Sequence, residues 1–386
     1  MTCIRVLFFA TIYLVAVLSI TSCDFIIDIE DALQNPLPDL FSTSESGNSG
    51  GVSVVNQSGV TSEEQIASDI LIEARSLPQD ITADIGALSA DIIAEILLKS
   101  GKFYFFNYTV TTTGRNQVMK VTPNYKIYQQ IDYAIESGDT SALTYKANHV
   151  YEGARNIIAT VITEGMTEYE KALAVHDYLV LNTDYDKEVA DAMRLQGGNT
   201  TVTELNDSYT PYGLIAYRKG VCQAYSELYA IIMNMLNIYA LEVVGTADNE
   251  PHSWNKIRLG EDYYNVDVTW DNPYTTDRKT LSRAFFNVTD EMLRRTHIWD
   301  GGNDKMAVSL TYNYFFVNNL LVSSQTDFET IITNAVNEGK PYIEMMLLNI
   351  DADQLSFNFI GRLTGRNSVS TKSTPGSNVL TVFLMD

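Results

Sequence analysis

An α+β fold is predicted for this chain of 386 residues, and three observations predict it. Apolar residues recur at helical spacing from Val221 through Ala224, Tyr225, Leu228, Ile231 and Ile232 to Met235. Runs of strand formers follow at 240–246, 252–259 and 262–270, and Gly260-Glu261 is a two-residue turn that makes the last two antiparallel. Beyond Asn303, strand and helix patterns alternate over a short span, which predicts a small C-terminal α+β domain. The core is thus a helix that bears a cysteine, packed on an antiparallel sheet that bears a histidine and an aspartate.

The elements follow in chain order. Residues 1–22 carry Arg5 as their single charge and an apolar run from Val6 to Ile20. That run falls short of the ~20 residues a bilayer span needs, so it reads as a signal peptide. Residues 23–60 turn Ser-, Gly- and Asn-rich, as in Ser42-Thr43-Ser44-Glu45-Ser46-Gly47, and read as a flexible tether. Residues 61–135 form an N-terminal helical and hairpin region. Ser62 or Thr61 caps a first helix, and a second ends near Lys99-Ser100-Gly101. Strands at 103–110 and 117–121 flank a turn at Thr113-Gly114-Arg115-Asn116, and helical patterns resume at 128–136 and 149–162.

Residues 136–303 hold the domain with the candidate site. Thr167 and Glu170 form a capping box before a helix whose Ala172, Val175, Leu179 and Val180 share one face. Residues 304–386 read as a strand at 314–322, a helix at 327–337, a strand at 341–349, a further helix and a terminal strand at 379–384.

Composition narrows the function. The chain has 26 basic and 48 acidic residues, a net charge of −22, and loss of Arg5 with the leader makes the mature form more acidic still. A surface of that sign excludes nucleic acid, whose phosphates require Lys and Arg, and offers no basic patch for anionic lipid. Of the three cysteines, Cys3 lies in the leader and Cys23 ends it, so Cys222 stands alone and no internal disulfide framework is expected.

Cys222 sits in Gly220-Val221-Cys222-Gln223-Ala224-Tyr225, where Gly220 permits a tight turn into the helix. A cysteine in the first turn meets backbone N–H groups without intrahelical partners and the positive end of the macrodipole. Both favour thiolate, and the same N–H groups can receive an oxyanion. Downstream come Pro251-His252-Ser253-Trp254 and Val266-Asp267-Val268-Thr269-Trp270. With Leu259 opposite Asp262, His252 and Asp267 become diagonal neighbours on one sheet face, within reach of each other. Cys222 as nucleophile, His252 as general base and acid, and Asp267 as the group that orients the imidazole compose the order a thiol acyl-transfer enzyme needs. His176 reads as structural, His149 and His297 show no partner pattern, and no spacing points to a metal or cofactor.

Two resemblances extend this reading. Ile20-Thr21-Ser22-Cys23 resembles the bacterial lipobox, which implies cleavage before Cys23, lipid on Cys23, and an extracytoplasmic protein anchored in the cell envelope. That route also sets aside the Asn107, Asn199 and Asn287 triplets as glycan acceptors. The phrases Tyr212-Gly213-Leu214, Lys219-Gly220-Val221-Cys222-Gln223-Ala224-Tyr225, His252-Ser253-Trp254-Asn255 and Tyr264-Asn265-Val266-Asp267-Val268-Thr269-Trp270-Asp271 resemble the bacterial transglutaminase-like superfamily. The resemblance spans roughly 165–300. It implies a papain-like fold, the Cys222–His252–Asp267 triad, and an additional oxyanion or site-lining group among Gln223, Tyr209, Tyr212 and Trp254. The superfamily by itself names no substrate; a peptide or protein amide, from cell-wall peptide or surface protein, is expected, and the abundance of water outside the cell favours hydrolysis over cross-linking. The alternative is a binding or scaffolding lipoprotein that keeps the fold without turnover.

Overall fold

The structure is a computed structural model that describes residues 3–7, 52–55, 62–99, 103–114, 116–195, 207–272, 281–300, 305–365 and 369–385. The chain divides into two compact units, one of residues 1–148 with 193–206 and the other of 149–192 with 207–386.

The first unit holds five strands: β1 (Cys3–Leu7), β2 (Val52–Val55), β3 (Asp80–Asp84), β4 (Phe103–Thr113) and β5 (Asn116–Tyr125). Their order in the sheet is β1-β4-β5-β3-β2. The helices α1 (Glu63–Glu73), α2 (Ala90–Lys99) and α3 (Ile127–Ser137) complete it. Ser62 caps α1, its hydroxyl accepting from the Gln65 N–H, and the β4–β5 hairpin turns at Gly114, whose φ of +66° suits glycine. Ile66, Ile70, Ile81, Phe106, Met119 and Val121 make the core.

Two differences from the sequence reading stand out here. Within the span expected to be tether, Val52–Val55 pairs in parallel with Asp80–Asp84, a strand the sequence reading also passed over. Each is only four or five residues long, and the Ser- and Gly-rich surroundings of the first hide its β-branched valines. Cys3–Leu7, expected to open the leader, lies antiparallel to β4. Cys23 and the rest of the leader and tether lie outside the described residues.

The second unit is built in order from α4 (Tyr145–Val161, its residues from His149 onward), α5 (Glu168–Asn182), β6 (Asp184–Tyr185), α6 (Lys187–Leu195), α7 (Pro211–Tyr217), β7 (Lys219–Gly220) and α8 (Cys222–Met235). Then come β8 (Ala240–Ala247), β9 (Glu250–Leu259), β10 (Asp262–Val266), α9 (Val268–Asp271), β11 (Phe286–Val288), α10 (Asp290–Leu293) and β12 (His297–Ile298). The capping box at Thr167 and Glu170 is closed in both directions, which starts α5 where the sequence places it.

The central sheet runs β11-β10-β9-β8-β12 with antiparallel pairing throughout. Leu259 faces Asp262 and Asn255 faces Val266, the expected register. The strand expected to reach Trp270 stops at Val266, because the Asp267 side chain accepts from the Trp270 N–H and caps the single turn α9. Asp248 and Asn249 both have positive φ, 49° and 66°, so β8 and β9 join through a two-residue turn where a longer loop was expected.

The remaining elements are α11 (Tyr314–Val317), β13 (Leu321–Val322), α12 (Gln325–Asn337), β14 (Tyr342–Leu347), α13 (Asn358–Thr364), β15 (Ser370–Ser373) and β16 (Val379–Phe383). They form a sheet of order β13-β14-β16-β15 over a core that includes Phe328, Ile332, Met345 and Val382. The strand expected over 314–322 is instead a helical turn followed by two strand residues. The Asn313 side chain accepts from the Phe315 and Phe316 N–H groups, and Asn319 at φ +55° redirects the chain. Met346 and Val379 of this sheet pack in one cluster with Trp254, Trp299 and Phe315, so burial of apolar area joins it to the central sheet. Among the described residues no helix is long and apolar enough to cross a membrane.

Candidate active site

Gly220 brings the chain into α8. A Cβ there would lie 2.9 Å from Ala224 Cβ and 3.1 Å from Leu214 Cδ2, so only glycine allows this close turn. Val221 takes the N-cap position with its own N–H on Ser208 O at 2.8 Å, which makes Cys222 the first helical residue. The helix is fastened to the sheet behind it by polar groups. Ser226 Oγ meets Ser253 Oγ at 3.0 Å and donates to Glu242 at 2.7 Å, while Asn255 Nδ2 donates to Ser226 O at 2.9 Å. These bonds set Cys222 beside His252, one residue before Ser253 on β9.

His252 Nε2 and Asp267 Oδ2 are 2.7 Å apart, and Asp267 Oδ1 accepts from the Trp270 N–H at 3.0 Å. With Nε2 engaged, Nδ1 is the ring nitrogen left to face the Cys222 sulfur, whose ionisation His252 favours. Cys222 is a free thiol that retains partial exposure, whereas Asp267 is buried. The structure therefore brings Cys222, His252 and Asp267 into one line, its His252–Asp267 link a hydrogen bond.

Electrostatics follow from that line. Burial pushes the Cys222 thiol up, but the hydrogen bond and charge of His252 outweigh it and hold the thiol below its usual value. Burial alone would lower His252, yet the Asp267 carboxylate, with the sulfur, pushes it up to about 10. Burial works against the Asp267 carboxylate as well, and the His252 charge holds it well below the ordinary carboxylate range. Both shifts favour the thiolate–imidazolium pair over the neutral thiol and imidazole.

The other sequence candidates separate. Tyr209 is half-buried, its phenol pushed up to about 12 by burial and then by the charges of Cys222 and Asp186. Trp254 is buried, its ring nearly parallel to His252 at 6.0 Å, and its Nε1 has no hydrogen-bond partner. Gln223 Nε2 donates to Glu227 at 3.0 Å along the helix. Tyr212 is buried with its ring against His149 at 5.3 Å and Tyr217 at 5.9 Å, where it joins α7 to α4.

His297 is the correction. Sequence reading found no partner for it, yet its Nε2 lies 3.0 Å from the same Asp267 Oδ2 that engages His252. No local spacing announces this, because the two residues are 30 positions apart, with β11 and α10 between them. His252, Asp267 and His297 have donor types that a cation would take, within 4.8 Å of one another. Their atoms are bonded directly to each other, so a cation would have to break both bonds to enter.

His176 is fully buried between Asp177 at 3.0 Å and Asp271 at 3.1 Å, and Asp177 is paired with Arg283. Burial opposes its charge, but the two carboxylates push it up to about 8. A raised base stabilises the fold fully below its unfolded pKa of about 6.5 and loses that contribution as pH rises through about 8. Stability should fall by about 2 kcal/mol across that window, and His176→Leu should flatten the profile. Urea midpoints between those pH values check it, and an unchanged slope in the variant refutes it.

Residues 155–268 match the Transglutaminase-like superfamily. No curated protein matches. The chain is similar to a solved structure described as a TGase, at 18% identity and a TM-score of 0.29, covering 54% of each chain. It is also similar to one described as "a Putative Cysteine Protease from Cytophaga hutchinsonii", at 18% identity and a TM-score of 0.24, covering 44% of this chain and 58% of that one. The chain thus spans little more than half the length of these structures. The family match covers the helix of Cys222, the strand of His252 and the carboxylate of Asp267, and residues 155–268 accordingly form a transglutaminase-like superfamily domain.

Proposed function

We propose that this chain is a transglutaminase-like cysteine enzyme that cleaves or transfers peptide or protein amides through a thioester on Cys222. The observation that carries the reading is the Cys222–His252–Asp267 line, with its thiol held below the usual value by a paired imidazolium. The thiolate attacks the amide carbonyl carbon, and the oxyanion is received at the α8 N-terminus. His252 gives its proton to the departing nitrogen as the C–N bond breaks, which leaves a thioester. Water then attacks while His252 takes its proton, and the acid and the thiolate are released. A lysine-type amine in place of water would give a cross-link, and the abundance of water outside the cell favours hydrolysis.

The protein acts outside the cytoplasm, anchored in the bacterial cell envelope by lipid on Cys23 and held off the membrane by the Ser- and Gly-rich segment after it. Cell-wall peptides and surface proteins are the amides in reach of that position. The net charge of −22 supports a role without nucleic acid.

Incubation of the full chain with cell-wall and surface-protein digests, followed by mass spectrometry, tests the reaction. Acyl mass on Cys222, removable by hydroxylamine, is the expected result. Absence of any adduct, together with a thiol no more reactive than free cysteine at neutral pH, leaves the scaffolding lipoprotein instead.

A further inference from the structure

Asp267 carries a second histidine on the same oxygen. His297 is fully buried, and its Nε2 reaches Asp267 Oδ2 at 3.0 Å while its Nδ1 reaches Thr296 Oγ1 at 2.8 Å. A nitrogen facing a carboxylate must carry the proton, so His297 Nε2–H donates to Asp267 Oδ2, and the Thr296 hydroxyl holds the other ring nitrogen. Among the described residues, the titratable groups that face this ring are Asp267 and His252, while Trp270 at 4.6 Å, Trp254 at 4.9 Å and Phe285 at 6.0 Å close its other sides.

The strand that carries His297 is held from two directions. Gly245 lies opposite His252 in the β8–β9 pairing, and a Cβ on it would fall 2.2 Å from Ile298 O. Only glycine there lets β12 approach closely enough for His297 to reach Asp267. On the other side, Gly376 in the turn between β15 and β16 sits against Thr296, where a Cβ would meet Thr296 Cγ2 at 2.1 Å. Arg295 next to it donates to Asn378 of the same turn. The C-terminal sheet therefore reaches the catalytic line through Thr296 and His297.

We propose that His297 is a positioning residue that clamps Asp267 Oδ2 toward His252, and that the β15–β16 turn of the C-terminal sheet holds this clamp in register. The inference rests on the thiol reading above and adds to it a residue and a task for the C-terminal segment. With two ring N–H groups on Oδ2 and the Trp270 N–H on Oδ1, the carboxylate can neither rotate nor take up a proton cheaply. Without the His297 donor the carboxylate is free to turn away from His252, which weakens the imidazolium that stabilises the Cys222 thiolate.

The test is the rate of Cys222 alkylation by iodoacetamide against pH, measured on the full chain. His297→Leu should move the acid limb up by about one unit, a tenfold slower reaction near pH 6. His297→Gln, whose amide N–H can reach the same oxygen, should restore most of the rate, which a packing role would not produce. Thr296→Val should shift the limb in the same direction by less, and it serves if the leucine variant does not fold. A wild-type thiol that reacts fast near pH 6, with all folded variants tracing its profile, overturns the clamp alone. A wild-type thiol already slow near pH 6 overturns the enzymatic reading and the clamp with it.

Discussion

Cys222→Ala should leave a folded protein that turns over no amide. The sulfur is the only atom in the line that can form the thioester, and its removal should lower kcat/KM by at least about 10⁴-fold against the substrate that acylates the wild type. Folding should be little affected, because Cys222 is only partly buried at the start of α8 and caps nothing. Alanine is also the better helix former. Cys222→Ser is the more telling partner: it keeps the shape, but a hydroxyl has no comparable acidity, so the neighbouring imidazolium cannot hold it ionised. Product release measured by mass spectrometry, beside unfolding midpoints for both variants, decides the matter. Either variant retaining more than a hundredth of the wild-type rate would exclude Cys222 as nucleophile.

Asp267→Asn should be nearly as severe, with a loss of about 10⁴-fold in kcat. The carboxylate accepts from His252, His297 and the Trp270 N–H, and an amide can accept with one atom only. If its oxygen faces the two rings, its N–H₂ confronts the Trp270 N–H. If it is flipped, two ring N–H groups meet a donor and His252 must change tautomer. The buried negative charge that holds the His252 imidazolium is lost in both cases. The pH dependence separates this from simple damage. In the wild type the rate rises as Cys222 ionises and falls as His252 loses its proton near pH 10. Without Asp267 the alkaline limb should move down, because burial alone disfavours the imidazolium. An alkaline limb left near pH 10 in the variant would mean that Asp267 does not set the charge of His252.

Much of the site was legible in the sequence because its parts are local. The helical run after Gly220 sets the place of Cys222 on its helix, and Gly260-Glu261 sets the register that puts His252 near Asp267. Where local signals compete, side-chain capping decides. Asp267 lies in a strand-forming run, yet its side chain caps a turn, and Asn313 likewise converts an apolar strand pattern into helix. The valines at 52–55 were hidden by their polar neighbours, and only the pairing with Asp80–Asp84 makes them a strand.

What the chain order determined by itself was the cysteine at a helix start, the histidine one strand further on, and the carboxylate within diagonal reach of it. Periodicity and turn chemistry act over a few residues and carry that much. Tertiary structure alone decided that Asp267 serves two histidines, that the Cys222 charge acts on the Tyr209 phenol, and that a C-terminal turn rests against Thr296. Those contacts join residues tens of positions apart. The Asp267–His297 contact in particular needs β12 to pack against a glycine at 245 closely enough to bring His297 inward.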